Sequence, residues 1–175
     1  MKLVELTAGQ NFDYHRFMLS GLQKHRDCFR ISPHDQANEP FPTNATPDSF
    51  TLGLVTAMGE LAGVVSFQRE GHNREKIRHK GLLFRMYVAA QYSGQGLGRI
   101  LLDETIRRAR QLPTMEQINL TVITTNALAK RQYEKAGFRS FALEKNAIKD
   151  DGLYYDEEQM VLFIRQPETA VDKGK

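Results

Sequence analysis

Three alternating glycines, Gly94, Gly96 and Gly98, end an apolar run, LLFRMYV, and open directly into a segment of helical periodicity, LGRILLDETIRRARQ. Such a junction binds anions. Glycines without Cβ let a ligand approach the backbone, and the free N–H groups of a helix start converge on negative charge. Spacing narrows the kind of anion. A dinucleotide loop needs a third glycine three residues after the second, where this chain has Arg99, and an acid ending the next strand, where Thr121 to Thr125 reads TVITT. A nucleoside-triphosphate loop needs a following Gly-Lys-Ser/Thr, and none is present. Taken by itself, the segment also reads as a glycine-rich turn without a ligand.

About thirty residues on comes Asn126-Ala-Leu-Ala-Lys-Arg-Gln-Tyr133-Glu-Lys-Ala-Gly137-Phe138. Asn126 is a good N-cap, Ala129, Tyr133 and Ala136 share one helical stripe, and Gly137 stops the helix as a C′ residue. Seven residues are almost two turns, so Asn126 and Tyr133 project from the same side, roughly 10 Å apart along the axis. That span suits an extended thioester arm. Alone, Tyr133 reads as an amphipathic core tyrosine; with the glycine loop at this distance it reads as functional.

Together the two segments resemble the GCN5-related N-acetyltransferase (GNAT) family. Its pyrophosphate loop, Arg/Gln-x-x-Gly-x-Gly/Ala, aligns on Ser93-Gly94-Gln95-Gly96-Leu97-Gly98, with Ser93 where Arg or Gln is usual. The substitution touches a side-chain contact and leaves the backbone donors intact. The resemblance implies acetyl-CoA as the cofactor, with Ser93, Gly94, Gln95, Gly96, Leu97, Gly98 and Arg99 at its pyrophosphate. Met86, Tyr87 and Val88 would pair with the pantetheine through their backbone, and the Val88 N–H would donate to the acetyl carbonyl. Asn126 would bind the pantetheine region, and Tyr133, the catalytic residue, would hydrogen-bond the sulfur and donate a proton to the leaving thiolate. The implied fold is α/β (α+β), a mixed sheet of about six or seven strands with a splayed parallel pair, flanked by about four helices.

Such chemistry also needs a base for the amine. At two positions where family members place a base carboxylate, this chain has Leu82 and Thr121. An acidic run does occur near the C-terminus, Asp150, Asp151, Asp156, Glu157 and Glu158 beside Tyr154 and Tyr155. Any one of these reads as a solvated turn or strand edge. Collectively they could attract a cationic amine, with Tyr154, Asp156 and Glu157 as the acceptor-side candidates.

The order of elements follows the same plan. Lys2–Thr7 reads as a strand, and a helix around Phe12–Lys24 has Phe12, His15 or Phe17, Leu19 and Leu22 available to face inward. A Pro-, Asn- and Asp-rich loop with room for a short helix spans residues 31–49, and Phe41 and Phe50 are candidate acceptor contacts. Strands Phe50–Ala57 and Leu61–Glu70 are joined by the Met58-Gly59-Glu60 turn, followed by a strand over Gly81–Val88. The helix Leu97–Gln111 offers Leu97, Ile100 and Leu101 inward and Arg107, Arg108 and Arg110 to solvent. Strand Gln117–Ile123 follows, parallel to Gly81–Val88 through a right-handed crossover; beyond the Asn126 helix come strands over Phe138–Lys145 and Leu153–Arg165.

Length and composition agree. A chain of 175 residues with 41% hydrophobic and 26% charged residues holds one buried core, expected over 1–166, before a polar tail at 167–175. A net charge of +3 is mild, and no basic segment carries the interleaved aromatics of a nucleic-acid platform. The single cysteine, Cys28, excludes an internal disulfide, and the five histidines lack metal-ligand spacing. No stretch reaches the about 18 apolar residues a membrane span requires. The N-terminus shows no signal-peptide run, so the cytoplasm is the default. The expected partner is a small-molecule or peptide amine, with neither nucleic acid nor membrane, and homodimerisation is left open. Within the class, protein N-terminal acetylation of the ribosomal-protein-alanine type is the alternative, with Thr121 against it. Outside it stand a catalytically silent acyl-CoA sensor and a nucleic-acid module.

Overall fold

The computed structural model describes residues 1–165; the expected tail lies outside the described residues. Seven strands form one sheet: β1 (Lys2–Leu6), β2 (Ser49–Val55), β3 (Leu61–Arg69), β4 (Lys80–Val88), β5 (Gln117–Ile123), β6 (Arg139–Asp150) and β7 (Leu153–Phe163). Their order across the sheet is β1-β2-β3-β4-β5-β7-β6, antiparallel except for β4–β5. Four helices flank it: α1 (Asn11–Lys24), α2 (Pro33–Asn38), α3 (Leu97–Gln111) and α4 (Ala127–Lys135). The single mixed sheet and its parallel pair bear out the expected fold class.

Alternation along the strands assigns the helices to opposite faces. Val65, Phe67 and Leu83 pack with Leu101, Leu102 and Ile106 of α3 and Tyr133 of α4. Val64 and Tyr87, pointing the other way, pack with Tyr14 and Met18 of α1. The α1 stripe therefore differs from the expected one: Tyr14, Met18, Gly21 and Leu22 are buried, whereas Phe12 is 77% exposed. Apolar residues occur on two sides of this helix, and the sheet, not the helix, selects one. Ile100 is likewise exposed, because Leu97, Leu101 and Leu102 already fill the face of α3 that meets the sheet. Arg108 leaves the solvated side to stack over Phe50, its carbon 5.0 Å from the ring centroid, and to pair with Glu5 of β1 at 2.5 Å.

Two features of β4 shape the middle of the sheet. It pairs with β5 over only three residues, Lys80–Leu82 against Gln117–Asn119. Beyond Leu82 the two strands part. On its other edge Val64 faces Tyr87 while Ser66 faces Phe84, so β4 carries one extra residue there, a bulge in which Arg85 takes φ +51°. A bulge bends its strand and sharpens its twist, which turns the end of β4 away from β5. The closed end depends on Gly81: a Cβ there would run into the ring of Phe67, which is fully buried and stacked on Phe50 at 5.2 Å. Gly81→Ala should therefore cost about 1–3 kcal/mol of stability, seen as a lower urea midpoint at unchanged slope.

Candidate active site

Gly94 and Gly96 both adopt φ +77°, and a Cβ on either would find no atom within 4 Å. The space in front of this backbone is open. Ile100 is the first residue of α3 whose N–H finds a carbonyl, Gly96 O at 3.2 Å, so the N–H groups of Leu97, Gly98 and Arg99 remain available, as at any helix start. Gly98 serves a different purpose, because a Cβ there would strike the Gln132 side chain where α4 abuts α3. Ser93 ends a short 3-10 turn, its N–H bonded to Ala90 O at 3.0 Å. Arg99 lies along the helix with its Nε 2.7 Å from Asp103. Both partners are about half exposed, so little holds the guanidinium in that position.

The parted strands lie beside this loop. Past Leu82 the edge of β4 that faces β5 has no ladder partner, and Met86, Tyr87 and Val88 occupy that stretch. The Tyr87 ring lies on Gly21 of α1, with Phe17, Phe29 and His25 around it at centroid distances of 5.1, 5.8 and 6.2 Å. From the α4 side, Asn126 caps its helix through Oδ1, accepting from Ala129 N at 3.2 Å, which leaves its amide NH₂ free among the described residues. Tyr133 is 7% exposed, packed against Phe138, and its hydroxyl makes no hydrogen bond within the described residues. Burial pushes its pKa up to about 12, so it stays protonated through the neutral and mildly alkaline range.

A mixed sheet with this strand order and flanking helices has counterparts among known proteins. The sequence profile of the Acetyltransferase (GNAT) family matches residues 19–138, more than half of the chain. The chain belongs to the GNAT acetyltransferase family. Acetyl transfer from acetyl-CoA is the activity that this membership generally implies. A mycothiol acetyltransferase of Propionibacterium freudenreichii is 35% identical over 86 residues, 49% of this chain and 27% of that protein. The chain thus spans about a quarter of that relative's length. A GNAT-family acetyltransferase from Streptococcus pneumoniae has the same fold, with a TM-score of 0.77 at 22% identity, covering 93% of this chain and 98% of the other. So does a ribosomal-protein-alanine N-acetyltransferase from Brucella melitensis, with a TM-score of 0.73 at 18% identity over 94% of this chain and 100% of the other.

On the other face of this GNAT sheet, the segment between α1 and α2 crosses the ends of β5 and β7, where the Thr125 hydroxyl reaches Asp27 O at 3.4 Å. The acidic run expected to act collectively is taken apart by this geometry. Asp150 and Asp151 both pair with Arg26, at 2.6 and 3.2 Å. Asp156 accepts from Lys145 Nζ at 2.6 Å and Asn146 N at 2.9 Å, which holds its carboxyl below the usual carboxylate range. Glu158 takes Lys130 Nζ of α4 at 2.6 Å and the Ser140 hydroxyl at 2.5 Å. Tyr154 lies exposed beneath Lys149 near the hairpin tip. Asp156 and Tyr154 are therefore not brought together with Glu157. Strand alternation, readable once Leu153–Arg165 is taken as a strand, already separates 154, 156 and 158 from 157.

Glu157 stands apart. It is 1% exposed, and neither carboxylate oxygen has a hydrogen-bond partner among the described residues. Its one ion-pair partner there is Arg30, Nε 3.4 Å from Oε1, a residue without any motif to mark it in the sequence, and Glu144 of β6 stands opposite it in the ladder. Arg85 also escaped sequence reasoning. From its bulge it bonds Gln36 Oε1 at 3.2 Å and pairs with Glu39, tying α2 and the residue after it to β4. Phe41 packs edge-on against Tyr14 at 5.2 Å and Phe50 is buried on the α3 face, so both are packing residues here. Among the described residues no group of His, Cys, Asp and Glu has the arrangement of a metal site, and no helix is long and apolar enough to cross a membrane.

Proposed function

We propose that this chain is an acetyl-CoA-dependent N-acetyltransferase that moves the acetyl group to a primary amine by direct attack within a ternary complex. The observation that carries this reading is the parting of β4 from β5 beside an open glycine loop, with Tyr133 on one side of the gap and Glu157 directed to the other. Bound there, acetyl-CoA supplies an acetyl thioester activated for acyl transfer. The amides around Gly94–Gly98 and the helix dipole hold its pyrophosphate, with Ser93, Gln95, Leu97 and Arg99 around them. The free edge at Met86–Val88 takes the pantetheine as an added strand, and Asn126 offers its amide NH₂ to the same arm. The Val88 N–H polarises the carbonyl oxygen.

Tyr133 covers the departing sulfur. A phenol with its pKa near 12 is a weaker acid than an ordinary thiol, so its first contribution is a hydrogen bond to the developing thiolate. The names of the relatives, a mycothiol acetyltransferase and a ribosomal-protein-alanine N-acetyltransferase, support a small-molecule or peptide amine as acceptor. Direct attack has a kinetic signature. Initial rates over a grid of acetyl-CoA and amine concentrations should give intersecting double-reciprocal lines, with no burst of thiol before amine is added. Parallel lines together with a protein mass raised by one acetyl group would show an acetyl-enzyme and refute direct attack.

A further inference from the structure

Strand β7 sends neighbouring carboxylates to opposite faces of the sheet. Glu158 reaches Lys130 on α4, the face that holds Tyr133 and α3, whereas Glu157 turns to Arg30 in the segment between α1 and α2. Glu157 lies opposite Ile123, the last residue of β5, four residues beyond the last β4–β5 pair and where the chain turns towards Asn126. A buried carboxylate without hydrogen bonds costs several kcal/mol unless a cation compensates it. Here the compensation is incomplete: Arg30 approaches one oxygen at 3.4 Å without forming a hydrogen bond, and its own side chain is more than half exposed. Arg30 also lines a cleft of about 100 Å³ between this segment, including Phe29 and Ile31, and the end of β6 at Ile148–Asp150. Arg26, Asp35 and Lys149 line it too and Glu157 does not, so the cleft gives access to Arg30 and not to the carboxylate itself.

We propose that Glu157 is the ammonium-binding and proton-accepting residue for a primary alkylamine, with Arg30 as a removable counter-ion that the substrate displaces. The proposal rests on the N-acetyltransferase reading above and names the acceptor class. The ammonium enters from the α1–α2 side, opposite Tyr133, and gives one proton to a Glu157 oxygen, which passes it to solvent. The freed lone pair forms the N–C bond and the C–S bond breaks with its electron pair on sulfur. The second proton lost by nitrogen reaches that sulfur, by way of the Tyr133 hydroxyl, so ammonium and thioester become amide, thiol and one released proton.

Two variants and a pair of acceptors test this. With ethylamine, Glu157→Gln should lower kcat/KM by on the order of a hundredfold at unchanged acetyl-CoA KM and with a melting temperature no lower than the parent's. With 2,2,2-trifluoroethylamine, whose nitrogen is neutral at pH 7.5 because the trifluoromethyl group sits next to the aminomethyl carbon, the same substitution should cost less than about tenfold, since no ammonium remains to be bound or deprotonated. Arg30→Ala should lower the alkylamine KM severalfold by removing the competing cation; a merely structural ion pair would not improve binding when broken. An alkylamine kcat/KM within twofold of the parent in Glu157→Gln overturns the proposal, as does an equal loss with both acceptors. A parent that releases no thiol with any amine overturns the acetyltransferase reading itself, a result distinct from either.

Discussion

Tyr133→Phe should lower kcat by on the order of tenfold to a thousandfold while leaving coenzyme A affinity nearly intact. The ring sits in the core shared by α3, α4 and the sheet, and phenylalanine keeps that packing. What disappears is a hydroxyl with no hydrogen-bond partner among the described residues, on a group whose burial keeps it protonated. Such a donor has little to do before charge develops on sulfur, so its loss falls on turnover and not on binding. The fold should gain slightly or stay unchanged, because no internal hydrogen bond is broken. Stopped-time thiol assays with calorimetric titration of coenzyme A separate the two effects. A parallel fall in affinity would make Tyr133 a packing residue, and full activity would remove it from the chemistry.

Gly96→Val should weaken coenzyme A binding by at least about tenfold. At φ +77° a β-branched residue is strained by roughly 1–3 kcal/mol, and its methyl groups would enter the open space in front of the amides. A backbone forced out of this geometry also misaligns the donors at the start of α3. Gly59, with φ +83° in the turn between β2 and β3, supplies the control: Gly59→Val carries similar strain with nothing nearby, and should leave affinity untouched. Equal affinities for parent and Gly96→Val would place the anion elsewhere.

The parts of the site that sequence reading captured are those written in local geometry. Gly94, Gly96 and Gly137 take positive φ, Asn126 caps α4, and α3 and β5 have the expected bounds, since each depends on conformational limits of the residue itself. The misread positions depend on what lies opposite. Phe12 and Ile100 are as apolar as their buried neighbours, and only the sheet's position decides which side of a helix it covers. Strand β6 continues to Asp150, beyond the expected Lys145, because its mostly exposed residues carry no burial alternation and its length is set by pairing with β7. The acidic run reads as one cluster in sequence, yet each of Asp150, Asp151, Asp156 and Glu158 has a cation brought from another segment. Glu157 becomes distinct only by what fails to reach it. Arg85 owes its left-handed backbone to a bulge that no residue type announces.

Thiol release from acetyl-CoA in the presence of a panel of primary amines, with the products weighed by mass spectrometry, tests the central claim most directly. The expected result is thiol release that requires an alkylamine, matches the N-acetyl product one for one, and falls at least about tenfold in Tyr133→Phe. Tight coenzyme A binding with no amine-dependent thiol release across the panel would contradict it and leave a silent acyl-CoA-binding protein.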